Sequence, residues 1–232
     1  AGEDVIDLGF GNPDLPSPEI TVEKLAEAAR NPRNHRYSAS RGIPKLREAV
    51  AGRYRRRFGV ELDPDTQVLP LIGSKEGIAH LPWAFVDPGD EVLVTEPGYP
   101  VYEVGTILAG GRPVHIPLTA EDGWFPDLAA VDRSTAPGAK LLWLCYPSNP
   151  TGAVATADQL EQAVRFAAER DLLLAYDNAY SEITYDGFVA PSVLEVPGAS
   201  EVAIEFGSLS KIFNMTGWRI GWAVGSPVAV EA

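Results

Sequence analysis

Apolar positions along this chain fall into two rhythms. Val22, Leu25, Ala26 and Ala29 share one face at helical spacing behind Thr21, which predicts a helix capped by Thr21 and running to about Arg30. Pro44 opens a second helix, with Leu46, Val50 and Tyr54 repeating to about Phe58. Short unbroken apolar runs follow at Val68–Ile72, Glu91–Thr95, Pro113–Ile116, Leu141–Cys145, Leu172–Tyr176 and Val202–Phe206, each read as a strand. Val5–Leu8 reads as a further short strand or extended arm, leading into a stretch around Gly9–Pro18 too rich in proline and glycine for a helix or central strand. Helical patterns open at Gly73-Ser74-Lys75, after Pro100 to about Ala109, and at Thr156 to about Arg170. Strands alternating with helices predict an α/β fold. Because the strand runs hardly alternate polar with apolar, helices should cover both faces of a mostly parallel sheet, giving a three-layer αβα sandwich.

Composition narrows the function classes. The 232 residues are 45% hydrophobic and 22% charged, as in an ordinary soluble globular chain. A net charge of −13 argues against nucleic-acid or anionic-membrane binding as the main activity, while leaving room for a local pocket that takes a small anion. The single Cys145 leaves no internal disulfide framework and fits a reducing compartment, hence a cytoplasmic location. His35, His80 and His115 show no ligand spacing, so no metal site is expected. No apolar run is long enough for a membrane span, and the first residues lack the basic start and apolar core of a signal peptide. The arginine run Arg53, Arg55, Arg56, Arg57 reads as a solvated helix end.

The chemistry gathers just past the C-terminal ends of the strands, the edge at which open α/β sheets bind ligands. After Val202–Phe206, Gly207 is expected to break the strand, and Ser208, Ser210 and Lys211 follow at once, with Arg219 eight residues beyond the lysine. A lysine held among apolar residues at a strand end is costly to bury as a cation; desolvation would make it nucleophilic and suited to Schiff-base chemistry. The two serines and Arg219 suit a phosphate. Taken alone, however, Ser-x-Ser-Lys reads as a solvated loop lysine. Gly73-Ser74-Lys75 offers amides at a helix start, an anion site or simply an N-cap. Asp177 ends an apolar strand, where it needs a cation or strong hydrogen bonds unless it is a turn aspartate. Asn149 lies between prolines as a ligand or a turn residue, and Gly11 either lets a ligand approach the backbone or belongs to a plain loop. Together these groups supply a lysine nucleophile, a phosphate cradle, a buried carboxylate and Tyr180 three residues after it, the parts a pyridoxal phosphate site requires.

Those motifs carry a family resemblance over essentially the whole chain. Ser208-Leu209-Ser210-Lys211 with Gly217-Trp218-Arg219-Ile220-Gly221, Asn149-Pro150-Thr151-Gly152, Asp177-Asn178-Ala179-Tyr180 and Gly11-Asn12-Pro13-Asp14 resemble the fold-type I, class I/II aminotransferases that use pyridoxal 5'-phosphate. Within that family, Leu71-Ile72-Gly73-Ser74-Lys75-Glu76-Gly77 and Glu96-Pro97-Gly98-Tyr99-Pro100-Val101-Tyr102 are most similar to LL-diaminopimelate aminotransferases. The resemblance implies that Lys211 forms the Schiff base and shuttles the substrate α-proton. Asp177 would pair with the ring nitrogen, Tyr180 and Asn149 with the ring hydroxyl oxygen, and Tyr99 would stack on the ring. Ser74, Lys75, Ser208, Ser210 and Arg219 would hold the phosphate, and Tyr37 would reach the phosphate of a neighbouring subunit's cofactor, implying a homodimer. Gly11 would present its backbone to the substrate carboxylate, and Asn149 would also face the substrate.

The implied activity moves an amino group between an amino acid, LL-diaminopimelate in the favoured case, and 2-oxoglutarate, a step of lysine biosynthesis. A broad alanine/aspartate-type aminotransferase, a cofactor-sensing effector domain of a transcription regulator, and a carbon–sulfur lyase are the other readings. Family members continue past the Arg219 region into a smaller C-terminal domain. This sequence is therefore expected to comprise an N-terminal arm and part of the small-domain region in residues 1–30, and the cofactor-binding large domain in residues 31–232, with the C-terminal small domain absent.

Overall fold

The computed structural model describes residues 11–131 and 138–232. The arm expected at Val5–Leu8 lies outside the described residues. Seven strands form one sheet: β1 (Val68–Leu71), β2 (Glu91–Glu96), β3 (Arg112–Pro117), β4 (Ala139–Cys145), β5 (Leu173–Asp177), β6 (Ala203–Ser208) and β7 (Gly221–Gly225). Their order is β1-β7-β6-β5-β4-β2-β3. Strands β3, β2, β4, β5 and β6 are mutually parallel, whereas β7 runs antiparallel to both β6 and β1.

The sheet is buried from both sides. Along β4, Leu142 and Leu144 face one core with Val50 and Tyr54 of α2 (Pro44–Phe58) and Leu160, Ala163 and Ala167 of α5 (Ala157–Arg170). Leu141, Trp143 and Cys145 face the other, with Ile78 and Leu81 of α3 (Ser74–Phe85) and Tyr102 of α4 (Val101–Leu108). That two-residue alternation between two apolar layers explains why the strand runs carried no polar face. The expected three-layer αβα sandwich is what the chain forms. Among the described residues, no helix is long and apolar enough to cross a membrane.

Four local expectations are corrected. Strand β7 was not foreseen: its residues include Gly221 and Gly225, a weak strand signal, and tertiary pairing with β1 and β6 overrides it. Gly207 does not end β6, which continues to Ser208; a Cβ at Gly207 would collide with the indole of Trp222 on β7, so the glycine is there for close approach. Helix α1 (Glu19–Ala29) begins before Thr21, behind Pro18, with no side-chain cap, and buries none of its residues; Val22 and Leu25 are exposed because no described element covers that face. The arginine run is not wholly solvated: Arg53 and Arg57 both reach Glu182, at 2.6 and 3.0 Å.

Candidate active site

The C-terminal ends of β4, β5 and β6 and the N-terminus of α3 open onto a common cavity of about 890 Å³. Gly11, Ser74, Lys75, Tyr99, Asn149, Asp177, Tyr180, Ser208, Ser210, Lys211 and Arg219 all line it. The structure thus brings together every candidate residue except Tyr37, whose ring is fully exposed and outside the cavity.

Asp177 sits on the cavity floor, 5% exposed, at the last position of β5. Its Oδ2 accepts a hydrogen bond from Tyr102 Oη at 2.8 Å, while among the described residues its buried Oδ1 has no hydrogen-bond partner. Burial pushes its pKa up to about 6, against the opposing pull of the Tyr102 hydroxyl and the Ala179 amide. Tyr102 is a participant that sequence reasoning passed over. The tyrosine spacing in Tyr99-Pro100-Val101-Tyr102 was its only signal: Tyr99 faces the cavity and Tyr102, edge-on to it at 5.6 Å, points into the core. The Tyr180 hydroxyl is pushed up to about 12 chiefly by burial, then by the Asp177 charge, against a smaller downward pull from the nearby Asn149 side chain.

The same cavity is lined by hydroxyl and cationic side chains of a kind that suits an anion. Ser208 caps the one-turn helix α7 (Leu209–Ile212), its hydroxyl accepting from the Ser210 amide at 3.1 Å. That turn swings Lys211 onto the cavity wall, half-buried. Arg219 adopts left-handed backbone (φ 55°), and its Nη1 donates to Thr216 O at 3.0 Å. Its guanidinium lies against Gly73, where a Cβ would overlap it, and a Cβ at Gly221 would meet the Ser74 amide nitrogen at 2.5 Å. Two glycines therefore let the arginine and the start of α3 converge. Lys75 Nζ stands 5.8 Å over the Tyr99 ring. In a chain of net charge −13, three cations, Lys75, Lys211 and Arg219, meet at one cavity.

Comparison with known proteins decides the family. The model of aminotransferase class I and II matches residues 3–232. The chain belongs to the class I and II aminotransferases. It is 58% identical to the LL-diaminopimelate aminotransferase of Desulforudis audaxviator and 54% to that of Moorella thermoacetica, each over 100% of this chain and 59% of the relative. It thus spans about three-fifths of the length of those curated relatives. Among solved structures, apo-BacF from Bacillus subtilis superposes with a TM-score of 0.96 at 42% identity, over 99% of this chain and 58% of that one. N-succinyldiaminopimelate aminotransferase from Mycobacterium tuberculosis superposes at 0.90 and 35%, over 97% and 58%.

Membership of this family prompts a test of the site's fit to pyridoxal phosphate. A buried carboxylate oxygen without a partner, Asp177 Oδ1, calls for a hydrogen-bonding cation, as a protonated pyridine nitrogen would be. The amide end of a twelve-residue helix, two buried serines and an arginine suit a phosphate. Tyr99, Ile78 and Ala179 supply walls for a flat ring. The residues present fit the cofactor.

Proposed function

We propose that this chain is the cofactor-binding part of an aminotransferase that moves an amino group between an amino acid and a 2-oxo acid. LL-diaminopimelate and 2-oxoglutarate are the favoured pair, a reading supported by the names of its relatives at 50% identity and above. The observation that carries the chemistry is Asp177 Oδ1, a buried, unpartnered acceptor in the same cavity as a lysine and an anion cradle.

Pyridoxal phosphate supplies an electron sink for a substrate α-carbon when bound. The protein's own groups set up the rest. Asp177, steadied by Tyr102, would hold the ring nitrogen as an anion. Tyr180 and Asn149 would hold the ring hydroxyl oxygen. Ser74, Lys75, Ser208, Ser210 and Arg219 would hold the phosphate and so keep the ring in register with Asp177. Lys211 Nζ would carry the proton between the substrate α-carbon and the aldehyde carbon of the cofactor, a transfer its half-buried place on the cavity wall allows. Gly11 offers its backbone to the substrate carboxylate; a Cβ there would meet nothing within 4 Å, so its freedom serves a ligand rather than packing.

The same reading takes residues 31–232 as the large domain, places the protein in the cytoplasm and makes it a homodimer. The fully exposed Tyr37 would then reach the phosphate bound by the other copy. The test is a panel of amino donors with 2-oxoglutarate, run on the full-length protein and scored by the oxo-acid product. A clear preference for LL-diaminopimelate is expected; turnover of alanine or aspartate alone would overturn the substrate assignment.

A further inference from the structure

Strand β6 carries a second buried carboxylate, which the mechanism above does not use. Glu205 is 0% exposed in the middle of Ala203–Ser208. Among the described residues no ion pair reaches it, yet it accepts four hydrogen bonds. Tyr54 Oη at 2.7 Å and Asn178 Nδ2 at 2.9 Å donate to Oε1. Ser192 Oγ at 2.6 Å and the Val193 amide at 3.0 Å donate to Oε2.

The pattern of donors fixes its charge. The Val193 amide and the Asn178 NH₂ can only donate. Tyr54 Oη already accepts from Trp222 Nε1 at 3.2 Å, and Ser192 Oγ from the Leu194 amide at 3.1 Å, so each hydroxyl hydrogen is directed at the carboxylate. A proton on Glu205 would strand one of these hydrogens inside the protein. Burial favours the neutral acid, and the four donors oppose it; the geometry suits the ionised form.

The four donors also connect the two halves of the site. Asn178 follows Asp177 directly, and its amide donates to Phe206 O at 2.9 Å. Its side chain, held by Glu205, fixes the chain just past Asp177. Through Tyr54, the same carboxylate holds the indole of Trp222, which occupies the space that Gly207 leaves open just before Ser208. Beside this network lies a cavity of about 10 Å³, roughly the space of one water, lined by Arg53, Asn178, Glu205 and Ser208 among others. Among the described residues, Arg53 Nε and Asn178 Oδ1 are both buried without a hydrogen-bond partner, one a donor and one an acceptor.

We propose that Glu205 is a positioning residue: as a buried anion it aligns the end of β5 that carries Asp177 with the end of β6 that carries Ser208, and one internal water joins Asn178 Oδ1 to Arg53 Nε. The inference rests on the cofactor reading above. Glu205→Gln keeps the shape but turns one acceptor oxygen into a donor facing donors. In the full-length protein it is expected to raise the Kd for pyridoxal phosphate roughly tenfold and lower kcat roughly tenfold, the lower end of what loss of an outer supporting group costs. The KM for the amino donor should change less than about twofold, and the induced circular dichroism of the bound cofactor, which reports ring orientation, should weaken. Tyr54→Phe, which removes one donor, should give smaller changes in the same direction and serves if Glu205→Gln does not fold. A lowered melting temperature with unchanged Kd and dichroism in both variants would make Glu205 a stabilising residue only and overturn the proposal. Failure of the wild type to bind cofactor would overturn the aminotransferase reading as well, which sets the two failures apart. A crystal structure should show an ordered water within hydrogen-bond reach of both Arg53 Nε and Asn178 Oδ1; an empty cavity would remove Arg53 from the network.

Discussion

Two carboxylates lie buried on neighbouring strands, and they are treated in opposite ways. Glu205 on β6 has both oxygens saturated, by four donors from α2, the loop after β5 and the 192–193 turn. Asp177 on β5, which lines the large cavity, has one oxygen paired with Tyr102 and the other, among the described residues, without a hydrogen-bond partner. Both are desolvated, and burial is the first cause pushing each of them upward. What differs is whether the fold completes the compensation itself. A saturated buried carboxylate belongs to the architecture; a half-saturated one beside a cavity waits for a ligand that brings the missing donor.

The sharpest way to break that contrast is to remove the group that holds the ligand on the Asp177 side. Lys211→Ala is expected to abolish the visible absorption of lysine-bound cofactor and to reduce transamination by roughly 10⁴-fold, the upper end of what a positioned proton-transfer group contributes. The protein should stay folded, because Lys211 is only half-buried on the cavity wall. Unchanged turnover would sink the lysine assignment.

Next in size is a stability effect confined to the saturated carboxylate. Glu205→Leu leaves donors from Asn178, Val193, Tyr54 and Ser192 facing an alkyl group, and should cost about 3–5 kcal/mol in denaturant unfolding of the cofactor-free protein. Asp177→Leu abandons only the Tyr102 hydroxyl and the Ala179 amide, and its cost should be smaller. Equal losses would mean that the difference in hydrogen bonding carries no energetic weight.

Activity should reverse that order. Asp177→Asn removes the charge at nearly constant size. It is expected to lower the rate by at least roughly 10²-fold, or about 2.7 kcal/mol of transition-state stabilisation, with saturating cofactor. A loss under threefold would reduce Asp177 to a turn residue.

Much of this contrast was legible in the sequence, but unevenly. Asp177 stood out because it ends an apolar run, and Lys211, Ser208 and Arg219 because they crowd the residues after another. The strand-end rule then placed them on one edge of the sheet. Glu205 was legible too, as a lone acid inside Val202–Phe206, yet the run was read only for its apolar members. Its four partners come from positions as far apart as Tyr54 and Val193, and no local pattern announces them. Strand β7 was hidden for a related reason: Gly221 and Gly225 weaken its local signal, while its existence depends on pairing with Val68–Leu71, whose partners lie from 150 residues away (Leu71 with Gly221) to 156 (Val68 with Val224). Gly207 was misread because a glycine between a strand and a serine looks like a stop, whereas its purpose is visible only once Trp222 lies across it. Local chemistry was readable; cross-chain compensation was not.

The smallest effect concerns pH, and it separates the two carboxylates in the empty protein. Asp177 has a pKa raised to about 6, with Tyr102, Tyr180 and Cys145 as its titratable neighbours; burial moves all three upward, so none of them titrates with it. A carboxyl group raised in this way favours the folded state fully below its unfolded value of about 4 and loses that contribution as pH rises through about 6. Cofactor affinity should run the other way. A cationic ring nitrogen needs Asp177 ionised, so below pH 6 the empty site must first give up a proton, and affinity should fall by up to about tenfold per pH unit from this group alone. The phosphate also ionises near pH 6, but it contributes the same slope to the wild type and to Asp177→Asn. The measurement is therefore the difference between the two: cofactor Kd titrated from pH 5 to 8, with the wild type steeper below 6 and the two curves parallel above it. Parallel curves throughout would show that Asp177 does not change its protonation on binding, and that its orphaned oxygen is not the partner of the ring.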